Sequence, residues 1–388
     1  MSKYNFDEII NRYNTNSLKY DYKKRRGMPL DVLPLWVADM DFRTADEIID
    51  ALESKAKHGI FGYSEPLDGF YDAVREWFSS HYHFTPKDNK IILVPGIVFG
   101  ICNIIQALTE EGDSILINQP VYYPFSSAIK DNNRKLIVSN LKYDKDKYQI
   151  DFEDLEEKIK ENHVKIYLLC NPHNPVGRVW KREELLKIKE ITNKYNVLVI
   201  SDEIHADFIY KNYSFTSYAT IDIANAIICN SSSKTFNLAG LHTGTLYVEN
   251  DSLRRKIRLQ INKTGYSQSN VMGIVATEAA YKYGLEWHKE VLEYLEGNLS
   301  FVRDFVKKNL DGVKLVEPEG TYLLWLDFNA LNMSDDKLND IIINKAKLWL
   351  DSGNIFGKEG IGFERINIAC PRAILKEALE RLKAALYD

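Results

Sequence analysis

The sequence has few cysteines and no long apolar run. Its four cysteines lie within or beside apolar runs, without the spacing of a metal site or a disulfide framework. No stretch approaches the ~20 apolar residues of a membrane span, and the polar, charged start differs from a signal peptide. These absences predict a cytoplasmic protein with reduced thiols and no membrane association. The cysteines are Cys102, Cys170, Cys229 and Cys370.

The sequence also lacks an excess of positive charge. Its formal net charge is −5, with acidic and basic residues mixed along the chain. There is therefore no basic stripe for nucleic acid and no polybasic patch for a membrane surface. The sequence shows no internal repeat and no low-complexity linker. A small molecule is the expected binding partner.

What is present is an ordinary globular composition at a length that favours two domains. The chain has 388 residues, of which 45% are hydrophobic and 27% charged. We expect a large domain over residues 48–285, and a small domain formed by residues 1–47 together with residues 286–388. A long amphipathic pattern that begins near residue 284 is long enough to connect the two.

Short β-rich apolar runs alternate with amphipathic segments from about residue 90 onward. Segments such as FEDLEEKIKENH carry apolar residues at spacings of three and four, which is typical of helices. This alternation predicts an α/β fold whose large domain contains a mostly parallel seven-stranded sheet covered by helices on both faces. The C-terminal segments predict a smaller α+β domain. The seven runs are KIILVPG, DSILINQP, KLIVSNL, VKIYLLCNP, NVLVISDE, NAIICNSSSK and TGTLYVEN.

Polar residues cluster where three of these runs end. In a doubly wound sheet these strand ends lie along one edge, where ligands gather. A carboxylate and an amine at the ends of apolar strands are costly unless they share a ligand or one another. The clustering therefore indicates a functional role for the lysine. The residues are Asn171 and Asn174 after one run, Asp202, Glu203 and His205 after the next, and Ser231, Ser233 and Lys234 after a third.

Lys234 in such surroundings is expected to have a lowered pKa and to form a Schiff base with an aldehyde. Pyridoxal phosphate supplies an aldehyde, a ring nitrogen that needs a carboxylate, a phenolic oxygen that needs donors, and a phosphate. We expect Asp202 to keep the ring nitrogen protonated, and Asn174 and His205 to hydrogen-bond the phenolic oxygen. Tyr122 of QPVYYPF is the expected stacking partner of the ring.

The phosphate is expected to bind two hydroxyls and the start of a helix. PGIVFG places small residues where a helix opens, and backbone amides at a helix N-terminus attract anions. The proposed phosphate ligands are Ser231, Ser233, Gly96, Ile97 and Val98.

Plainer interpretations of single residues stay open on the pattern alone. Lys234 could be a surface lysine, Asp202 a helix cap and His205 a satisfied core histidine. NPHNPVG could be only a turn, and the serines before Lys234 only loop residues. Tyr122 and Tyr123 could both be core aromatics.

The combination of motifs resembles fold-type-I pyridoxal-phosphate enzymes of the aminotransferase class. Asn-Pro-x-Asn-Pro-x-Gly at 171–177, Asp-Glu-x-His at 202–205 and Ser-x-x-Lys at 231–234 follow the order and spacing of that family, with RINIACPR near the end. Within the class, LPLWVADMDF, GYSEP and SDEIHADF are most similar to the MalY and PatB group of cystathionine β-lyases. The resemblance covers nearly the whole chain.

This resemblance implies a homodimer with active sites at the subunit interface. Tyr63 would reach the phosphate of the neighbouring subunit, Arg365 would bind the α-carboxylate of the substrate, and Trp36 and Ala38 would line the amino-acid pocket. Two positions depart from typical aminotransferases. His242 stands where they have a phosphate-binding arginine, and His205 stands where they usually have tyrosine.

The function implied is a carbon–sulfur β-lyase that cleaves L-cystathionine or related cysteine S-conjugates to a thiol, pyruvate and ammonia. An aminotransferase of aromatic or other neutral amino acids is the alternative, since both reactions begin with removal of the α-proton. A regulatory or binding role without turnover is the third hypothesis.

Overall fold

A seven-stranded mixed sheet forms the centre of the molecule. The computed structural model describes residues 3–144 and 147–387. In chain order its strands are β1 (Leu33–Pro34), β2 (Ile91–Val94), β3 (Ser114–Gln119), β4 (Lys135–Asn140), β5 (Lys142–Asp144), β6 (Lys147–Gln149), β7 (Ile166–Cys170), β8 (Leu198–Asp202), β9 (Ala226–Asn230), β10 (Gly244–Val248), β11 (Lys314–Val316), β12 (Leu323–Asp327), β13 (Leu348–Trp349), β14 (Asp351–Ser352) and β15 (Phe363–Asn367).

Helices surround the sheet and alternate with its strands along most of the chain. They are α1 (Leu18–Asp21), α2 (Asp46–His58), α3 (Asp68–Tyr82), α4 (Ile97–Leu108), α5 (Pro124–Lys130), α6 (Phe152–Glu161), α7 (Arg182–Lys194), α8 (Ala219–Asp222), α9 (Ser232–Thr235), α10 (Asp251–Lys263), α11 (Val271–Tyr283), α12 (Leu285–Asn309), α13 (Asp335–Asp340) and α14 (Arg372–Tyr387).

The order of the central sheet is β2-β10-β9-β8-β7-β3-β4. Strand β10 runs antiparallel to both of its neighbours, and the other pairs are parallel. Each of the seven predicted runs contributes one strand, so the predicted α/β fold with a mostly parallel seven-stranded sheet is confirmed.

Both faces of the sheet are buried, which explains why its strands are continuously apolar. In β7, Ile166, Leu168 and Cys170 pack on the side of α4, α5 and α10, whereas Tyr167 and Leu169 pack on the opposite side. Successive side chains of a strand point to opposite faces. The same alternation determines which residues at the strand ends face the site.

A smaller antiparallel sheet of order β11-β12-β15-β14 lies in the C-terminal part of the chain. Helix α12 is 25 residues long, or about 37 Å, and it contacts α11, α14 and β11. The segment SDDKLNDIIINKAKLWLD has a helix-like pattern in the sequence. It is helical in α13, continues as a π-helical turn over Ile341–Lys345, and then forms β13 and the start of β14.

The N-terminal segment is tied to the C-terminal part of the chain. Strand β1 pairs in parallel with β13. This pairing gives hydrogen-bond partners to the backbone groups of β13, so the chain forms a strand there instead of continuing the helix. The division into domains at residues 48 and 285 stays a prediction. Across residues 3–144 and 147–387, every helix is too short or too polar to span a lipid bilayer.

Candidate active site

Strand register brings three of the predicted strand ends to one level. Cys170 of β7, Asp202 of β8 and Cys229 of β9 lie side by side. Because side chains alternate, Asp202 shares the α4 face with Ile200, whereas Glu203 faces the other side. There Glu203 accepts hydrogen bonds from Ser201 Oγ, Ser217 Oγ and Tyr218 N. Of the two adjacent acids, Asp202 therefore faces the site and Glu203 anchors a loop.

A cavity of about 370 Å³ lies at this edge of the sheet. It gathers most of the site residues predicted from the sequence. Those that line it are Ala38, Gly96, Ile97, Val98, Tyr122, Asn174, Asp202, His205, Ser231, Ser233, Lys234 and His242. The predicted residues outside this lining are Tyr63, Arg365 and Trp36.

Lys234 lies in the short helix α9 directly after β9. Its Nζ donates a hydrogen bond to the carbonyl oxygen of Ala38 at 2.6 Å. Burial lowers the pKa of Lys234 to about 8, although Asp39 and Asp202 partly oppose this effect. A larger share of the amine is therefore neutral near pH 7.5 than at an exposed lysine, as a nucleophile or base requires.

Asp202 and His205 both line the cavity, and their side chains keep hydrogen-bonding capacity there. The carboxylate of Asp202 accepts one hydrogen bond, from Ile204 N at 3.2 Å. Burial raises the pKa of Asp202 to about 7 against the influence of Ile204 N–H and Lys234. Burial lowers the pKa of His205 well below its ordinary value, and its Nδ1 has no hydrogen-bond partner. A buried acid and a neutral imidazole thus face the cavity with free hydrogen-bonding capacity.

Asn174 is held in a fixed orientation by two neighbours. Its side-chain oxygen accepts a hydrogen bond from Arg365 Nη1 at 2.9 Å, and its backbone oxygen accepts one from Tyr122 N at 2.9 Å. The Asn174 amide group consequently remains available as a donor. The turn that follows needs glycine at 177, because its φ is +71° and a Cβ there would lie 2.8 Å from Pro318 Cβ.

The predicted phosphate ligands all line the cavity. Gly96 precedes α4, a 12-residue helix whose first amides are unpaired within the helix. Ser231 Oγ donates to Thr243 O at 2.6 Å and accepts from Ser233 N at 3.0 Å. Ser232 is turned away, since its hydroxyl contacts Thr277 Oγ1 at 2.9 Å. Ser231 and Ser233, the two predicted ligands, therefore line the cavity, whereas Ser232 between them does not.

His242 lies where the first cavity meets a second one of about 910 Å³. It is exposed and has a positive φ of 51°. Lys234, Ala38 and Ala239 also line both cavities. The imidazole therefore borders the cavity at its mouth rather than at its base.

Arg365 lies on β15 and is buried beside the cavity through its contact with Asn174. Its Nη2 donates to the carbonyl oxygen of Trp36 at 2.9 Å and to Asp351. The ring of Trp36 stacks on Trp349 at 4.4 Å and 14°. Trp36 thus contributes its backbone to the site, while its ring packs outside the cavity lining.

Tyr63 is not brought to the cavity within one chain. It lies between α2 and α3 and is 95% exposed. Ile60, Phe61 and Leu67 of the same connection are also exposed. Its predicted role depends on a second copy of the chain.

Several residues that contact the site were not identified from the sequence. Asp39 lies next to Ala38 and is bound by Arg12 Nη2 at 2.7 Å and Lys19 Nζ at 3.5 Å. Lys19 is completely buried and also binds Asp41 at 2.8 Å. This group of charges holds the loop that covers Lys234. Charged residues spread over LKYD and VADMDF show no pattern that predicts their meeting.

Cys170, Thr243 and Tyr322 were also missed. Cys170 and Thr243 line the cavity, and the Tyr322 hydroxyl donates to Ala38 O at 3.0 Å. Each is an ordinary residue of an apolar run, so its role depends on where the strands and the N-terminal loop meet.

The cavity fits pyridoxal phosphate on its own geometry. It combines a buried carboxylate with one backbone donor, an unpaired ring nitrogen of a neutral histidine, and a lysine amine of lowered pKa. Asp202 suits a protonated ring nitrogen, and His205 and Asn174 suit a phenolic oxygen. The start of α4 with Ser231 and Ser233 suits a phosphate.

Comparison with known proteins gives the same result over nearly the full length. The Aminotransferase class I and II family model matches residues 31–382. Cystathionine beta-lyase PatB of Bacillus subtilis (strain 168) is 38% identical over 385 residues, which cover 98% of this chain and 100% of that protein.

Two solved structures are similar throughout. Cystalysin from Treponema denticola, which contains a pyridoxal 5'-phosphate cofactor, matches with a TM-score of 0.95 and 37% identity over 99% of this chain and 98% of that one. The PLP-bound C-S lyase from Staphylococcus hominis matches with a TM-score of 0.92 and 33% identity over 99% and 98%. The resemblance found in the sequence is confirmed, and the chain belongs to the class I and II aminotransferase family.

Proposed function

We propose that the protein is a pyridoxal-phosphate-dependent carbon–sulfur β-lyase. Its substrates are L-cystathionine or related cysteine S-conjugates, and its products are a thiol, pyruvate and ammonia. The observation that carries this proposal is a lysine amine of lowered pKa and a buried carboxylate facing one cavity. The relatives support it, since they include a cystathionine beta-lyase and a C-S lyase. The sequence-based hypothesis of a pyridoxal-phosphate-dependent lyase is thereby confirmed.

Bound pyridoxal phosphate supplies an electron sink that stabilises negative charge at the Cα of the substrate. Asp202 would maintain that capacity, because its buried carboxylate would hold a proton on the ring nitrogen. The pKa of Asp202, about 7 in the protein alone, falls when a cationic N–H becomes its partner, because an opposite charge favours the ionised form. Lys234, the lysine of the Ser-x-x-Lys motif at the end of β9, would hold the cofactor covalently.

Proton transfer at Cα is assigned to Lys234 Nζ. A base works best when its pKa is close to the working pH, and the pKa of about 8 meets this condition. The hydrogen bond from Nζ to Ala38 O fixes the direction of the amine. Tyr322 donates to the same carbonyl oxygen, which limits the movement of the loop that carries it.

Arg365 is assigned to the α-carboxylate of the substrate. It is a buried guanidinium at the edge of the cavity, held by Asn174 and the backbone of Trp36. Arginine binds carboxylates in a planar two-point geometry. This orients Cα toward Lys234, so that the proton and the leaving sulfur occupy defined positions.

We further propose a homodimer in which Tyr63 completes the site of the neighbouring subunit. The exposed apolar side chains of Ile60, Phe61 and Leu67 beside it support an interface. Mixing inactive Lys234→Ala subunits with inactive Tyr63→Ala subunits should restore up to about a quarter of wild-type activity, because random pairing forms one intact site in half of the dimers. A mixture that stays inactive contradicts shared sites.

The proposed compartment is the cytoplasm. All four cysteines are free thiols, and the cytoplasm keeps thiols reduced. Cys170 lines the cavity, so a reducing environment also protects the site.

Incubation of the purified holoenzyme with L-cystathionine tests the activity. Pyruvate and free thiol in the absence of a 2-oxo acid acceptor are the expected products. Formation of product only with an acceptor would instead indicate the aminotransferase, and a bound cofactor without turnover the regulatory role. In the same experiment, Lys234→Ala should abolish turnover and the visible absorption at ~420 nm that a lysine-bound cofactor gives. An unchanged spectrum would refute the assignment of Lys234.

A further inference from the structure

All hydrogen atoms on one nitrogen of Arg365 are already committed. Nη2 donates both to the Trp36 carbonyl oxygen and to the carboxylate of Asp351. Nη1 donates to Asn174 Oδ1, and Nε is buried without a hydrogen-bond partner among residues 3–144 and 147–387. The guanidinium also lies 4.9 Å from the ring centroid of Phe356. A nearby acid thus occupies the arginine that the proposed function assigns to the substrate.

The shape of a guanidinium makes Nη2 necessary for carboxylate binding. A carboxylate can approach end-on, to Nη1 and Nη2, or side-on, to Nε and Nη2. Both two-point geometries use Nη2. A substrate carboxylate therefore binds Arg365 at two points only if one present partner of Nη2 leaves.

Asp351 is the partner that can leave. The Trp36 carbonyl belongs to a loop fixed by backbone pairing, since Leu35 N bonds to Trp349 O and Asn367 N bonds to Leu35 O. Asp351, by contrast, reaches Arg365 through a side chain from the facing position on β14. A change of side-chain rotamer frees Nη2 without moving the sheet.

We propose that Asp351 occupies the place of the substrate α-carboxylate on Arg365 and must be displaced when substrate binds. The inference rests on the proposed function in assigning Arg365 to that carboxylate. Asp351 is then a specificity-determining residue, because every ligand competes with it. Only a ligand whose carboxylate accepts two hydrogen bonds from the Arg365 guanidinium displaces the Asp351 carboxylate.

Displacement leaves a buried carboxylate that needs a proton or a cation. The charged and titratable groups around Asp351 are Arg365 and Glu364 of β15, Arg26 of the N-terminal region, and Tyr122 and Tyr123 before α5. Burial already raises the pKa of Asp351, and Arg365 exerts the largest opposing effect. Loss of that contact raises the pKa further, so ligand binding should be accompanied by proton uptake.

The sign of the pH dependence follows from this coupling. The pKa of Asp351 is higher in the bound form than in the free form, so affinity is greatest below the free-form pKa and falls as the pH rises through the bound-form pKa. If Asp351 only supported the fold, its protonation state would not affect the affinity for the ligand.

The test uses the holoenzyme and 3-(methylthio)propionate, which has the carboxylate and thioether of a substrate but neither amine nor reaction. Calorimetry in two buffers of different ionisation enthalpy gives the Kd and the number of protons taken up. Asp351→Asn should bind about tenfold more tightly than wild type, because an amide competes more weakly than a carboxylate for a guanidinium. Its proton uptake should fall and its pH profile should flatten. The KM for L-cystathionine should fall in parallel, with a smaller change in kcat.

Asp327→Asn is the matched control. Asp327 is a buried acid of the same small sheet, bonded to Asn329 and Tyr143 instead of Arg365. It should match wild type in Kd and proton uptake. An Asp351→Asn protein with an unchanged or weaker Kd, or with the proton uptake of wild type, overturns the proposal.

The wild-type protein provides a test that does not depend on folding of the variant. Binding of the ligand without net proton uptake at every pH at which the wild-type holoenzyme stays folded also overturns it, because burial raises the pKa of Asp351 and loss of Arg365 raises it further. Because the ligand cannot react, a protein that failed to cleave cystathionine would disprove the lyase activity without affecting this measurement.

Discussion

Replacement of Lys234 by methionine should raise the free energy of unfolding of the cofactor-free protein. When the cofactor is present, the same replacement should lower it. Burial lowers the pKa of Lys234 from its ordinary 10.5 to about 8. Each tenfold change in proton affinity corresponds to ~1.4 kcal/mol, so holding the charged amine in the fold near pH 7 costs about 3 kcal/mol. Methionine has a similar shape and no charge. Loss of the hydrogen bond to Ala38 O offsets about 1 kcal/mol.

The net expectation is a gain of about 2 kcal/mol in the free energy of unfolding at pH 7. The unfolded chain binds the Lys234 proton more tightly than the folded chain. The penalty in wild type is therefore complete below pH about 8 and disappears as the pH rises toward 10.5. The difference between the two proteins should shrink over the same interval.

Urea unfolding of the cofactor-free proteins, followed by tryptophan fluorescence, measures this difference. Lys19→Met is the matched control, because Lys19 is also buried but paired with Asp41 and Asp39. Those carboxylates raise the pKa of Lys19 despite its burial, so its loss should destabilise the protein by about 3 kcal/mol. A Lys234→Met protein that is less stable than wild type at pH 7 refutes the reasoning.

Three further substitutions test individual contacts of the site. Asp202→Asn should lower kcat about a thousandfold with little change in KM, since the loss falls on the stabilised carbanion; an unchanged kcat in steady-state assays would contradict its role. Arg365→Lys should raise KM at least tenfold with a smaller effect on kcat, because one ammonium cannot bind a carboxylate at two points. Ser233→Ala should raise the Kd for pyridoxal phosphate about tenfold, measured by fluorescence titration, whereas Ser232→Ala should not, because its hydroxyl faces Thr277. Equal effects of the two serine changes would exclude the proposed phosphate end.

Local sequence patterns predicted the central sheet well because each strand is buried on both faces. Runs such as VKIYLLCNP have no polar alternation, and their ends are marked by polar residues. The pattern was less informative in the C-terminal part. Residues 348–351 belong to a segment with a helix-like pattern, yet they form β13 and the start of β14 because β1 and β15 lie beside them. No local signal reports a partner strand that is three hundred residues away.

The site shows the same contrast. Lys234, Asp202 and His205 could be predicted because each follows a recognisable strand, and neighbouring parallel strands end at one edge. Asp39 and Asp351 could not, since their importance comes from ion pairs with Lys19 and Arg365, which lie on other elements of the fold. Ser231 and Ser232 are the same residue type, and they differ in the direction of their hydroxyl groups. The turn after β9 determines that direction, so the sequence pattern does not show it.

The seven strands, the chemistry available at their ends and the family resemblance could all be predicted from the amino-acid sequence. These depend on hydrophobic periodicity and on short motifs, which are local properties. Three features became visible only in the folded chain. They are the charges that meet at the site, the hydrogen bond from Arg365 to Asp351, and the packing of the Trp36 ring outside the cavity. Such contacts arise from packing between distant segments, where a shift of a few ångströms changes the partner of a buried charge.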